Sequence, residues 1–244
     1  GKNTSFMITK NEIKRIKSLR NKKDRKDLKL FIAEGEKTVR EFISASWPCK
    51  ILFSLENNFH PQAQKVDLSV MNQITHFKNP SPVLGVFEIP KPKLLNKIPI
   101  TIAVDGIRDP GNLGAIIRLC DWFGIDDLIC SFNTVDCFNS KTVQASMGSL
   151  VRVTCHYLEN LSEYLKSLEK PVFGADYRGK SIYSVRLPEF GSYIFGSESH
   201  GFSQEINNLL DYKLSIPNYR QTKGAESLNV ATATAIFLSE IYRK

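Results

Sequence analysis

Three stretches of this 244-residue chain set glycines, small polar side chains and one or two charges directly after apolar runs. "ITIAV" is followed by "DGIRDPGNLGAIIR", "SYIF" by "GSESHGFS", and "YKLS" by "IPNYRQTKGAESLN". A short, continuously apolar run reads as a buried strand. In open α/β sheets, ligands bind beyond the carboxyl ends of such strands. Glycines there let a ligand approach the backbone closely and allow positive φ. Gly and Asn also serve ordinary turns, so any one loop alone reads as a turn. Three together, each with a carboxylate or guanidinium that a turn does not need, read as one site. Arg118, one helical turn past Gly114, is the side chain least explained by turn chemistry.

Several chemistries are excluded. "GNLG" lacks the G-x-G-x-x-G spacing of a dinucleotide site, and no G-x-x-x-x-G-K-[ST] phosphate loop occurs. There is no G-x-S-x-G nucleophile elbow. His60, His76, His156 and His200 are scattered without metal-ligand spacing, and His200 reads as a rim residue of its loop. Five cysteines, an odd number without C-x-x-C, argue against a disulfide framework or zinc ribbon and favour a reducing cytosol. No apolar run approaches the ~18 residues of a membrane span, and the N-terminal residues lack a signal-peptide pattern.

The charge is uneven. Residues 1–30 hold 11 Lys/Arg and 3 Asp/Glu, so the whole net charge of +8 lies in that segment. A clustered basic segment marks a polyanion partner, usually nucleic acid, or a solvated helix face. Thr9 and Glu12 form a capping-box pattern there. Ile13, Ile16 and Leu19 make a narrow apolar stripe that leaves Lys14, Arg15, Arg20, Lys22, Lys23 and Arg25 as candidate phosphate contacts.

The elements that must carry these residues alternate. Strands are expected at "LKLFIAEG", "KILFSL" and "SPVLGVFEI", with a helix at "EKTVREFISA" and no clear element over 59–77. Pro90 to Pro99, with three prolines and three lysines, reads as an extended linker. Beyond it the pattern restarts. Strands are expected at "ITIAV", "DDLIC", "VRVTC", "PVFGAD", "SYIFG" and "YKLSIP", and helices at 112–123, 141–149, 162–169, 203–210 and 227–243. Short apolar strands alternating with helices indicate an α/β fold with a mainly parallel sheet covered on both faces. The expected organisation is a small N-terminal α/β domain (1–90), a linker (91–99) and a larger C-terminal α/β domain (100–244), to which the resemblance below gives RNA-binding and catalytic roles respectively.

The three loops in this order, with "NSKTVQASMGSL" between them, closely resemble the SpoU (TrmH-type) RNA ribose 2′-O-methyltransferases of the SPOUT superfamily. "IKSLRNKKDRK…FIAEGEKTVREF" is similar to that family's N-terminal substrate-binding domain. The resemblance implies a deep trefoil knot, S-adenosyl-L-methionine as cofactor, RNA as substrate and a homodimer built through the C-terminal domain, in the cytoplasm and without membrane association. It implies cofactor contacts at Gly196, Ile216, Leu228 and Ser227, with Ser227 and Asn229 opening the last helix. It places Arg118, Asn112, Glu198 and Asn229 at the catalytic centre. Arg118 would act as general base or electrostatic clamp. An arginine is effectively never deprotonated in proteins, which makes the clamp at least as defensible as the base. Pro217 to Ser227 is about three residues longer than the family spacing, bringing Arg220 and Lys223 to the site mouth as candidate RNA contacts. Ribosomal RNA is favoured over transfer RNA. The alternative is a non-catalytic RNA-binding dimer that keeps the knotted fold, and a nicotinamide dehydrogenase fails on the missing glycine fingerprint.

Overall fold

The computed structural model describes residues 8–95, 97–197 and 199–243. It divides into two compact units: residues 1–91 with 136–151, and residues 92–135 with 152–244.

The first unit opens with α1 (Lys10–Ser18). The Thr9 hydroxyl accepts from the Glu12 N–H while the Glu12 carboxylate accepts from the Thr9 N–H, so the capping box forms. The basic segment does not run on as one helix. It breaks at Leu19–Asn21 and resumes as α2 (Lys22–Leu28), which ends at Lys29 with φ of 55°. Then follow β1 (Leu30–Glu34), α3 (Glu36–Ser44), β2 (Cys49–Ser54), β3 (Gln64–Lys65), α4 (Leu68–Ile74) and β4 (Val83–Glu88). The short β3 and α4 lie in the region where the sequence pattern was weak; Asp67 caps α4 through its side chain. The strands form a sheet in the order β1-β4-β2-β3. Both faces are covered. Leu30 and Ile32 point to Ile16, Leu19, Met71 and Ile74, while Phe31 between them meets Phe42 and Phe87. Period-two alternation thus sends one strand into two cores.

The second unit carries β5 (Ile100–Asp105), α5 (Pro110–Trp122) and β6 (Asp127–Ser131). Between β6 and β7 (Thr154–Leu158) lies α6 (Ser140–Ser146), followed by a 3₁₀ turn at Ser149–Val151. Then come α7 (Leu161–Ser167), β8 (Val172–Ser181), β9 (Gly191–Gly196), α8 (Gln204–Leu209), β10 (Tyr212–Ser215) and α9 (Val230–Tyr242). The six strands are all parallel, in the order β10-β8-β9-β5-β6-β7. Ala103 and Ile194 face a core with Leu161, Leu165 and Ile206 from α7 and α8. On the opposite side Phe195 packs edge-to-face on Phe237 of α9, and α9 contacts α5. The sheet is therefore doubly wound, as the alternation of elements implied.

Two expectations shift. The strand placed at "VRVTC" begins only at Thr154, because 149–151 turn as a 3₁₀ helix. The helix expected over 141–149 stops at Ser146, where Met147 takes φ of 49° and Gly148 φ of 87°. A Cβ on Gly148 would meet Glu41 Cγ at 2.6 Å, so glycine is required there. The segment 136–151 packs within the first unit: α6 lies against β1, and Phe138 joins Phe31 and Trp47. No helix among the described residues is long and apolar enough to cross a membrane.

Candidate active site at the carboxyl edge of the parallel sheet

The strand order reverses direction at the β5–β9 pair: β5 leads on to β6 on one side, and β9 leads on to β10 on the other. Such a switch point opens a crevice beyond the strand ends. Asp105 and Gly196, the last residues of these strands, lie side by side. Two of the three glycine-containing loops leave the sheet here.

The first loop is held from several directions. Gly106, at φ of 70°, donates its N–H to Ser131 Oγ at 2.8 Å. Asp109 is the N-cap of α5, accepting from the Asn112 N–H at 2.8 Å, with Pro110 in the first turn. Pro is pre-shaped for that position and lacks only an N–H that would be unpaired anyway. The second loop turns back on itself through a Ser197–Gly201 bridge, and the Ser203 N–H donates to Asp105 Oδ2 at 2.8 Å. A Cβ on Gly196 would sit 2.9 Å from the Gly201 carbonyl oxygen, so this close approach requires glycine. Glu198 lies outside the described residues.

The third loop returns from β10 to α9 and joins the first. Asn229 caps α9, its Oδ1 accepting from the Ala231 and Thr232 N–H groups. Its Nδ2 donates to Asn112 Oδ1 at 2.8 Å. One side chain thus serves as helix cap and as a link between two motifs 117 positions apart. Arg118 lies on the exposed face of α5, one turn from Trp122, which is 84% exposed. Ser227 is exposed and two positions before the cap; it does not open the helix, because Asn229 alone reaches the first-turn N–H groups.

The residues at this edge fit an adenosine-bearing cofactor. Ile216 is half-buried and Leu228 46% exposed, leaving apolar surface for a flat ring to cover. Among the described residues, 218–228 make no backbone–backbone hydrogen bonds, although the Asn218 side chain takes the Arg220 N–H and donates to the Ala225 carbonyl. Arg220 and Lys223 are exposed in the same loop. No cluster of potential metal ligands occurs among the described residues.

On the first unit, Lys14, Arg15, Arg20, Lys22 and Lys23 are exposed. Arg25 is not. It is 2% exposed; its Nε and Nη2 donate to Asp136 Oδ2 at 3.0 and 2.9 Å, and its Nη1 to the Leu19 and Arg20 carbonyls. The expectation that Arg25 meets a phosphate is corrected: its guanidinium is consumed in holding α2 and the α1–α2 turn. Nearby, His76 Nε2 bonds the Ile16 carbonyl at 3.0 Å and Nδ1 bonds Ser140 Oγ at 2.6 Å. Burial, with the charges of Arg20 and Arg25 adding to it, pushes its pKa down to about 4. The sequence reading missed Asp105 and Asp109; the Asp-Pro pair opening a helix was the available signal for the second.

Comparison with known proteins agrees with this geometry. Residues 99–239 match the model of the SpoU rRNA Methylase family, and residues 10–85 that of the MRM3-like substrate binding domain. The chain is 29% identical over 93% of its length to the 23S rRNA (guanosine(2553)-2′-O)-methyltransferase RlmP of Bacillus subtilis, covering 94% of that protein. A Porphyromonas gingivalis structure assigned to the TrmH family of RNA methyltransferases superposes with a TM-score of 0.84 at 34% identity, over 97% of this chain and 98% of that one. An AdoMet-bound rRNA methyltransferase from Sinorhizobium meliloti superposes with a TM-score of 0.82 at 28% identity, over 96% and 95% of the two chains. The chain belongs to the SpoU rRNA Methylase family.

Proposed function

We propose that this protein is an S-adenosyl-L-methionine-dependent RNA methyltransferase that modifies a ribose 2′-hydroxyl, with ribosomal RNA as the favoured substrate and transfer RNA as the other. The observation that carries the reading is the Asn229–Asn112 hydrogen bond at the sheet's switch point, which draws the "DPGNLG" and "ESLN" motifs into one site. Support for ribosomal RNA comes from relatives named as 23S rRNA 2′-O-methyltransferases.

When bound, the cofactor supplies an electrophilic methyl group. The chain supplies the rest. Ile216 and Leu228 wall an apolar slot, and the main chain of Gly196 and of 218–228 gives hydrogen-bonding groups at close range. The methyl group would pass to the 2′-oxygen with the cofactor leaving as its neutral thioether; Arg118 would stabilise charge developing on that oxygen while the hydroxyl proton is lost to solvent water. A guanidinium keeps its proton, so its contribution is electrostatic and geometric. Asn112 and Asn229 hold α5 and α9 in register beneath that position, and Glu198 completes the set by its motif position.

Lys14, Arg15, Arg20, Lys22 and Lys23 hold the RNA by its phosphates, with Arg220 and Lys223 doing the same near the reacting ribose. Such contacts position RNA by charge and shape. The chain works as a homodimer through its C-terminal domain. Support comes from the solvent-facing Trp122 beside Arg118 and from a groove lined by Tyr183, Ala235, Ile236, Ser239 and Glu240. The return of the chain from edge strand β10 to the N-terminus of α5 is consistent with a trefoil knot. A ribosomal RNA substrate supports a cytoplasmic location. The deciding experiment is transfer of a tritiated methyl group from the cofactor to RNA of a strain lacking the gene, followed by mapping of 2′-O-methyl positions; no transfer to any RNA sinks the proposal.

A further inference from the structure

The second unit presents the same small device twice. "DYRGK" (176–180) and "NYRQTK" (218–223) each place Tyr-Arg after an Asx residue and a lysine shortly after. In both, the Asx side chain accepts from the arginine N–H two positions on: Arg178 to Asp176 Oδ1 at 2.9 Å, and Arg220 to Asn218 Oδ1 at 2.9 Å. That turn puts the tyrosine at its tip. Tyr177 is 74% exposed and Tyr219 is 78% exposed.

The two turns belong to neighbouring strands at the edge of the sheet. Along β10, Lys213 pairs with Gly174 but Leu214 pairs with Lys180, so residues 175–179 leave the ladder as an excursion with Tyr177 at its centre. Gly179 closes it. A Cβ there would lie 2.3 Å from the Lys213 carbonyl carbon, and its carbonyl accepts from Ser215 Oγ at 2.8 Å. Tyr219 follows four residues after Ser215, in the loop that leads from β10 to α9. The Tyr177 tip therefore interrupts the β8–β10 ladder, while the Tyr219 tip stands beyond its end, on the loop that also carries Ile216 and Leu228.

Their electrostatics favour a polyanion. Asp176 holds Arg178 by Nε at 3.2 Å and Nη2 at 3.0 Å, fixing the guanidinium 5.5 Å from the Tyr177 ring centre. Burial pulls the Asp176 pKa upward, but the hydrogen bonds and charge of Arg178 outweigh it and leave the carboxyl below its ordinary value. Arg178 is thus balanced, while Lys180, Arg220 and Lys223 are exposed and leave the edge positive. Exposed aromatic rings among basic side chains suit unpaired nucleobases: the rings stack on bases, and the cations follow the backbone.

We propose that Tyr177 and Tyr219 are paired stacking platforms for unpaired bases of the RNA substrate flanking the nucleotide at the active site. This rests on the RNA-methyltransferase reading above. It differs from the phosphate contacts assigned to Arg220 and Lys223, because a ring reads a base that has left its helix.

The test uses the full-length protein, with fluorescently labelled oligouridylate and oligoadenylate as binding probes and unmethylated RNA as substrate. Tyr177→Ala and Tyr219→Ala should each weaken oligonucleotide binding about tenfold, and the double variant about a hundredfold. Tyr→Phe at either position should retain binding, because stacking needs no hydroxyl. The alanine variants should leave the salt dependence of binding unchanged, whereas Arg220→Gln and Lys223→Gln should each lower its slope by about one. In methylation, the alanine variants should raise KM for RNA with cofactor affinity and melting temperature unchanged. Alanine variants with wild-type oligonucleotide affinity and KM overturn the proposal. So does a Tyr→Phe loss equal to that of alanine, or a loss that tracks dissociation of a dimer in sedimentation. If the wild type binds the oligonucleotides through these tyrosines but methylates no RNA, the enzyme reading fails and the platforms stand.

Discussion

On the proposed reading, Arg118 and Asn229 would divide the work of the site in different ways. Arg118 sits exposed on a helix whose buried face is apolar, outside the core. Arg118→Ala is expected to lower kcat for methyl transfer by about 10²–10³, the scale of losing one preorganised charge-stabilising donor. Cofactor affinity by calorimetry should stay at the wild-type level, and normal turnover would remove Arg118 from the chemistry. Asn229 serves two groups at once, capping α9 and bonding Asn112. Asn229→Ala should destabilise by about 1 kcal/mol through the lost cap. Asn229→Asp keeps the accepting oxygen but loses the Nδ2 donor. It should melt near the wild-type temperature yet lose activity, which separates the cap from the link to Asn112.

At the scale of elements, the basic helices show how a charge count overstates an interface. Lys14, Arg15, Lys22 and Lys23 face solvent along α1 and α2, while Arg25 of α2 turns inward to Asp136 and two carbonyls. Removing one partner of a buried ion pair strands the other. Arg25→Ala should therefore destabilise by about 3–5 kcal/mol in urea denaturation. Lys22→Gln with Lys23→Gln should leave stability unchanged and reduce the salt slope of RNA binding by about two. His76 adds a pH dependence to the same unit. Its folded pKa of about 4 lies below the ordinary 6.5, so over that interval the unfolded chain binds the extra proton. Stability from this group is full above the unfolded value and falls as pH drops toward the folded one. Glu34, raised by burial above 4.5, works in the opposite sense at the acid end. Between about pH 6.5 and pH 5 the wild type should lose roughly 1–2 kcal/mol more than His76→Gln, which lacks the titrating ring. Equal losses in the two proteins would refute this account.

At the scale of the whole molecule, Trp122 is the feature a monomer explains least. A tryptophan 84% exposed on a helix that also carries Arg118 is expected at a subunit contact. Trp122→Glu should shift the protein to a monomer in sedimentation velocity and depress methyl transfer, with its melting curve still cooperative. A wild-type protein that sediments as a monomer at micromolar concentration would refute the dimer.

Much of the fold and part of the site are legible in the residues alone. The capping box at Thr9, the continuously apolar runs at "ITIAV" and "SYIF", and the Asp-Pro start of α5 encode local structure within a few positions, and the helices and strands follow them. The three glycine-containing loops marked the candidate site's edge for the same reason: turn residues reveal themselves by type. Tertiary structure alone decided which charges are available and which motifs meet. Arg25 reads like its neighbours in sequence, but its guanidinium finds Asp136, 111 positions away. The segment around Phe138 reads as part of the second unit, but packs on Phe31 of the first. The Asn229–Asn112 bond and the shared edge of the two Tyr-Arg turns depend on strand order. Periodicity and capping are set by neighbours a few residues apart. Pairing across a hundred residues is set by which faces must be buried together, and no local pattern carries that information.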